Sequence, residues 1–163
     1  MRTLMICLLA MALVGSAVAQ DKAVAYVVSS GDKPVLQLQI PGQVTVTATK
    51  EKTTLQTTNL ILHIWVVEHA TNITEGISRL AGIIQGEVLK FKPEATTELV
   101  VAGAPARRLF GSGTEADDGD DGHADVVVFI AGTRVFVACV HGEKLDPAER
   151  QAMLAALQTV RAP

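Results

Sequence analysis

Apolar and polar residues alternate along this chain with two different periods, and the change of period marks out its elements. Residues 24–28 are a short apolar run closed by Ser29-Ser30-Gly31-Asp32. Residues 35–40 alternate, Val35-Leu36-Gln37-Leu38-Gln39-Ile40, as a half-buried strand does. Pro41-Gly42 then turns the chain, residues 44–49 alternate again with β-branched side chains, and Lys50-Glu51-Lys52 reads as an exposed tip. Residues 60–67 are apolar almost without interruption, the mark of a strand covered on both faces.

At Asn72 the period becomes helical. Asn72 and Glu75 predict a capping box, in which each side chain satisfies a backbone donor of the other. Ile77, Leu80, Ala81, Ile84 and Val88 follow as one apolar stripe. Gly76, Gly82 and Gly86 each weaken such a helix by up to about 1 kcal/mol, so docking on a sheet must hold it. Residues 90–93 predict its end. Strand text resumes over 98–102 and 106–111, joined by Gly103-Ala104-Pro105, and again over 125–131 and 135–141 across Gly132-Thr133-Arg134. The acidic, glycine-rich residues 114–123 separate the two pairs. A last helix starts at Asp146 as N-cap with Pro147 in its first turn and Glu149 completing a second capping box, and it buries Met153, Leu154, Leu157 and Val160. No repeat or low-complexity linker interrupts this order. It predicts one α+β domain, a largely antiparallel sheet with helices packed on one or both faces.

The first residues follow another logic. Arg2, the apolar residues 4–14 and the small-x-small Ala17-Val18-Ala19 predict a secretory signal peptide over 1–19, cut after Ala19. The apolar run is about half the roughly 20 residues that span a bilayer, and no later segment is longer, so no transmembrane anchor is expected. Cys7 follows Leu4-Met5-Ile6 as a lipidation site would, but too little apolar chain precedes it, and the cysteine is expected to leave with the signal. Residues 20–163 are then a single domain released into the periplasm or outside the cell. Loss of Arg2 takes the formal charge from −3 to −4, which disfavours nucleic acid as a partner. Cys139 is left without a partner cysteine, so packing rather than a disulfide must stabilise the domain.

The element order, with Glu98-Leu99-Val100-Val101-Ala102-Gly103-Ala104-Pro105-Ala106 between the first helix and the last hairpin, resembles the PsbP-like α/β/α sandwich of photosystem II extrinsic proteins, a Ran-binding import factor and small exported bacterial proteins. The Gly103–Ala106 turn, the paired strands 125–131 and 135–141, and the helix 146–160 take the places of that family's elements. The resemblance implies a binding or assembly-assisting module rather than an enzyme, with no transferable site residue. Together with the export signal, the expectation is a non-catalytic module of the bacterial envelope with another envelope protein as partner and no cofactor.

Candidate chemistry lies in four places. Asp117, Asp118, Asp120, Asp121 and Asp125, spaced by Gly119 and Gly122, offer the oxygen ligands that calcium takes from a flexible loop. With Asp117 at position 1 of a calcium loop, Gly119 falls at position 3 and Val128 at position 12, where a bidentate Glu belongs, so the template is not met. The competing expectation is a solvated hairpin tip. Cys139 and His141 share a strand face, as a thiolate–imidazole pair would, but Val135 and Val137 on that face predict core. His63, Trp65 and His69 share a face of the apolar strand, and with His141 they would make an imidazole cluster for a transition metal if the register joined them. Arg107-Arg108 point to opposite faces; ion pairs with nearby acidic residues are expected, and the competing reading is an exposed arginine that grips an anion. An uncharacterised hydrolase remains an alternative, although Gly-x-Ser-x-Gly, His-Glu-x-x-His, phosphate-loop and Cys-x-x-Cys patterns are absent.

Overall fold

The structure is a computed structural model that describes residues 22–28 and 33–163. Residues 1–19, expected to be a signal peptide, and Cys7 among them lie outside the described residues. Nine strands and two helices are described: β1 (Lys22–Val28), β2 (Pro34–Pro41), β3 (Thr45–Ala48), β4 (Lys52–Thr57), β5 (Leu60–Val67), α1 (Ile73–Ile84), β6 (Val88–Val101), β7 (Ala104–Glu115), β8 (Asp121–Ala131), β9 (Arg134–Gly142) and α2 (Pro147–Leu157). Strands β3-β4-β5-β9-β8-β7-β6 form one antiparallel sheet of seven, and β1-β2 form a separate antiparallel ribbon.

The doubly apolar text of β5 has its cause in this arrangement. Leu60, Leu62 and Ile64 join a core with the β1-β2 ribbon and α2, while Trp65 and Val67 join a second core beneath α1. Strands β8 and β9 divide in the same way, with Phe129, Phe136 and Val140 on one side and Val126, Val137 and Cys139 on the other. The expected α+β architecture is therefore present, with α1 on one face of the sheet and α2 and the ribbon on the other. The chain end is pinned to the ribbon by reciprocal backbone bonds of 2.9 Å between Gln37 and Arg161.

Several boundaries differ from the sequence expectation. Strand β4 was not expected; Thr53 and Leu55 are its buried positions, and a buried threonine hides the apolar period. Helix α1 ends at Ile84, and Val88 belongs to β6 rather than to the helical stripe. The Asn72 side chain accepts from Glu75 N at 2.9 Å, but Glu75 reaches back to Thr71 N at 2.7 Å instead of Asn72 N. At α2, Asp146 accepts from Ala148 N at 2.8 Å, whereas Glu149 leaves its cap and accepts from Ile61 N on β5 at 3.1 Å.

Strand β6 is longer than its pattern and bent. Its pairing with β7 slips between Leu89 and Lys92 and again between Pro93 and Ala95, and Lys90 has φ 55°. Gly111 and Gly113 of β7 permit the bend: a Cβ at Gly111 would lie 2.1 Å from Lys92 O, and one at Gly113 2.7 Å from Leu89 O. The α1–β6 turn lies over the sheet face that α1 covers, and its last residue is Glu87.

Candidate metal centre

Three elements bring three donor groups together on that face. His63 comes from the middle of β5, His141 from the end of β9, and Glu87 from the turn after α1. The antiparallel register sets His63 opposite Cys139, so His141 is two residues further along the neighbouring strand and faces the same way. The two imidazoles are stacked with centroids 5.2 Å apart. Glu87 is held by its own backbone, with its N–H bonded to Ile84 O at 2.8 Å and its C=O accepting from Ala116 N at 2.9 Å.

The donor atoms converge. Glu87 Oε2 lies 3.3 Å from His141 Nε2 and 3.7 Å from His63 Nε2, and one donor atom from each of the three residues falls within 4.8 Å of the others. Tetrahedral zinc with bonds near 2.0–2.1 Å sets its ligand atoms about 3.3–3.4 Å apart, so small rotations would suffice.

Each ligand has a partner on its outer side. Glu115 Oε2 sits 2.7 Å from His141 Nδ1, Thr54 Oγ1 sits 3.0 Å from His63 Nδ1, and the Lys52 ammonium donates to Glu87 Oε1. Such outer partners orient metal-binding imidazoles and select their tautomer. Glu115 is itself buried against Gly122, where a Cβ would lie 2.1 Å from Glu115 Oε1. That oxygen has no protein partner among the described residues.

The electrostatics follow from burial. Desolvation pushes the His63 imidazole down to about 4, against the pull of Glu87 and with the help of Lys52 and His141. The ring is therefore neutral at neutral pH, with one of its two nitrogens bare, the form that binds metal. Burial works to raise the Glu87 carboxyl, but the Lys52 hydrogen bond and the charges of His63, Lys52 and His141 outweigh it, and the group stays below its ordinary range. His141 lies between two carboxylates, its Nδ1 2.7 Å from Glu115 Oε2 and its Nε2 3.3 Å from Glu87 Oε2. Two acceptors facing each other repel unless a cation or a proton lies between them.

The sequence candidates are distributed otherwise. His69 lies beyond the end of β5 with φ 60° and outside the cluster. Cys139 is fully buried beside His63, and burial, followed by the charges of Glu87, Asp125 and Glu115, pushes its thiol far up, so it remains a protonated core side chain. Asp117, Asp118 and Asp120 are exposed in the β7–β8 turn and Asp121 is exposed at the start of β8. Asp125 is turned away from them, wholly buried, bonded to Arg108 Nε at 2.8 Å and Arg150 Nε at 2.7 Å. Arg107 pairs with Glu98 at 3.1 Å on the surface. Neither arginine of the pair is a free anion grip.

Glu87, Glu115 and Lys52 were not among the sequence candidates. The usable signal was in the histidines, each a polar residue at an inward position of an otherwise apolar strand.

Fold and site together define a class: an antiparallel α+β domain with a His–Glu–His donor set beneath one helix. No protein-family model matches the chain, and no curated protein matches it. Several solved structures are similar in shape, among them two with the following likeness. One is PA94, a protein of unknown function from Pseudomonas aeruginosa, 14% identical over 76% of this chain and 88% of that one, with a TM-score of 0.44. The other is LpqN, involved in cell envelope biogenesis of Mycobacterium tuberculosis, 15% identical over 87% of this chain and 92% of that one, with a TM-score of 0.47.

Proposed function

We infer that this chain is an exported binding module of the bacterial envelope whose ligand is a divalent transition-metal ion of the zinc type, held by His63, Glu87 and His141. The supporting observation is the meeting of two imidazole nitrogens and one carboxylate oxygen within 4.8 Å, each side chain braced from behind by Glu115, Thr54 or Lys52. Imidazole nitrogens with one carboxylate suit zinc and its neighbours, whereas calcium and magnesium prefer oxygen throughout. Export is read from Arg2, residues 4–14 and Ala17-Val18-Ala19. The PsbP-like resemblance supports a role in binding or assembling another envelope protein, with the ion as a part of that role.

Zinc titration of the exported protein, followed by melting temperature, tests the reading. Zinc at about 100 times its dissociation constant stabilises the fold by about 2.7 kcal/mol. His141→Ala and Glu87→Gln are expected to abolish the shift, and Glu115→Gln to weaken zinc binding by about 10–100-fold while leaving the fold intact. Replacing Asp117, Asp118, Asp120 and Asp121 together by Asn is expected to leave the zinc shift unchanged. A proton on His141 Nε2, in place of a metal, would satisfy the same geometry. No shift with zinc, cobalt or copper would favour that occupant and end the metal reading.

A further inference from the structure

A separate cavity of about 340 Å³ lies where α1 and the tip of the β3-β4 hairpin flank the end of β5. This is within the roughly 300–1,000 Å³ range of small-molecule sites. Trp65 and Ile83 supply apolar walls, and Lys50, Arg79 and Arg134 bring three cations against the two carboxylates of Glu51 and Glu68. None of the three proposed metal ligands lines it.

Two features mark it as built rather than incidental. Gly82 lines the cavity from the last turn of α1, and a Cβ there would meet nothing within 4 Å. A glycine inside a helix costs up to about 1 kcal/mol relative to alanine. Gly76 of the same helix is required by packing, since a Cβ would lie 2.7 Å from Val128 and 2.9 Å from Val135; Gly82 answers no such need, and the space beside it is open. Second, Arg79 is fastened in place by Glu68 O, at 2.6 Å from Nη1, and His69 O, at 3.4 Å from Nη2. Its planar fork is thus ordered before any ligand arrives, and the remaining N–H groups are available. Lys50 and Arg134 have no ion-pair partner among the described residues.

We propose that this cavity binds a small organic anion with a flat apolar body, an arylalkyl carboxylate, its ring against Trp65 and Ile83 and its carboxylate toward Arg79 and Arg134. An aromatic ring on an indole contributes about 0.5–1.5 kcal/mol beyond its buried area. A carboxylate on a guanidinium makes a charge-assisted pair, which an alcohol of the same shape cannot.

Trp65 is the one tryptophan of the chain, so its fluorescence reports on the wall of this cavity. Its ring lies 5.9 Å from His63, so the titration is run with EDTA present and its outcome is independent of metal binding. The probe is phenylacetate, with 2-phenylethanol as the uncharged match. A saturable change with phenylacetate is expected, with 2-phenylethanol at least about tenfold weaker, a difference of about 1.4 kcal/mol. Arg134→Gln, on an exposed side chain, is expected to weaken phenylacetate about as much. Gly82→Leu is expected to abolish binding while melting no lower than the parent, because leucine is the better helix former. No saturable change at millimolar phenylacetate, equal binding of acid and alcohol, or retained binding in Gly82→Leu would each overturn the proposal.

Discussion

A side chain that leaves water must either find a partner or give up its charge, and the residues of the candidate centre do one or the other. His63 gives up its charge. Its folded value of about 4 lies below the ordinary 6.5, so between those pH values the unfolded chain binds a proton that the native state refuses. Stability is therefore full above pH 6.5 and is lost as pH falls toward 4. The loss is on the order of 3 kcal/mol for the metal-free protein. Urea denaturation at a series of pH values in EDTA should show that slope, and His63→Gln should flatten it; an unchanged slope would mean that other groups carry the acid sensitivity. Cys139 illustrates what was legible at this scale. Its place among Val135 and Val137 on one strand face identified it as core, and it is. The pairing of Asp125 with Arg108 and Arg150 was not legible, because no local pattern tells which carboxylate of an acidic stretch turns inward.

Among the elements, α1 separates propensity from packing. Gly76 lets the helix approach β8 and β9, and the methyl of Gly76→Ala would press on Val128 and Val135. That strain should outweigh the gain in helix propensity and destabilise the protein by about 1–2 kcal/mol. Gly82→Ala, with nothing near its new methyl, should stabilise it by up to about 1 kcal/mol. Urea midpoints of the two variants should move in opposite directions. The sequence showed three helix-weakening glycines but not which of them the fold uses, since that depends on a neighbour some 50 residues away. The same limit hid β4, whose buried Thr53 breaks the apolar alternation, and the bend of β6, which depends on missing side chains in β7. The N-cap residues Asn72 and Asp146 were read correctly because their contacts are only two or three residues off, whereas the return bonds expected of Glu75 and Glu149 go to Thr71 and Ile61.

Across the whole molecule, the sheet works as a partition between two cores, and Asp125 ties three elements on the α2 side of it. Its carboxylate is wholly buried and bonds Arg108 of β7 and Arg150 of α2, whose guanidinium also lies 4.4 Å from the Phe110 ring. Asp125→Ala should cost about 3 kcal/mol, at the low end for breaking a buried ion pair, because both arginines keep part of their side chains in water. Thermal and urea denaturation would check it, and a change under about 1 kcal/mol would assign the tie to packing alone. The sequence by itself determined the class of fold, the apolar faces and both helix starts, because these are written in spacings within a single element. It also supplied two of the three donors. Only the tertiary structure decided that His63 and His141 share one centre, that Glu87 completes it, and that Asp125 serves the core instead of the acidic turn. Each of those depends on strand register and on a bend between elements far apart in the chain, and such contacts leave no period along the sequence.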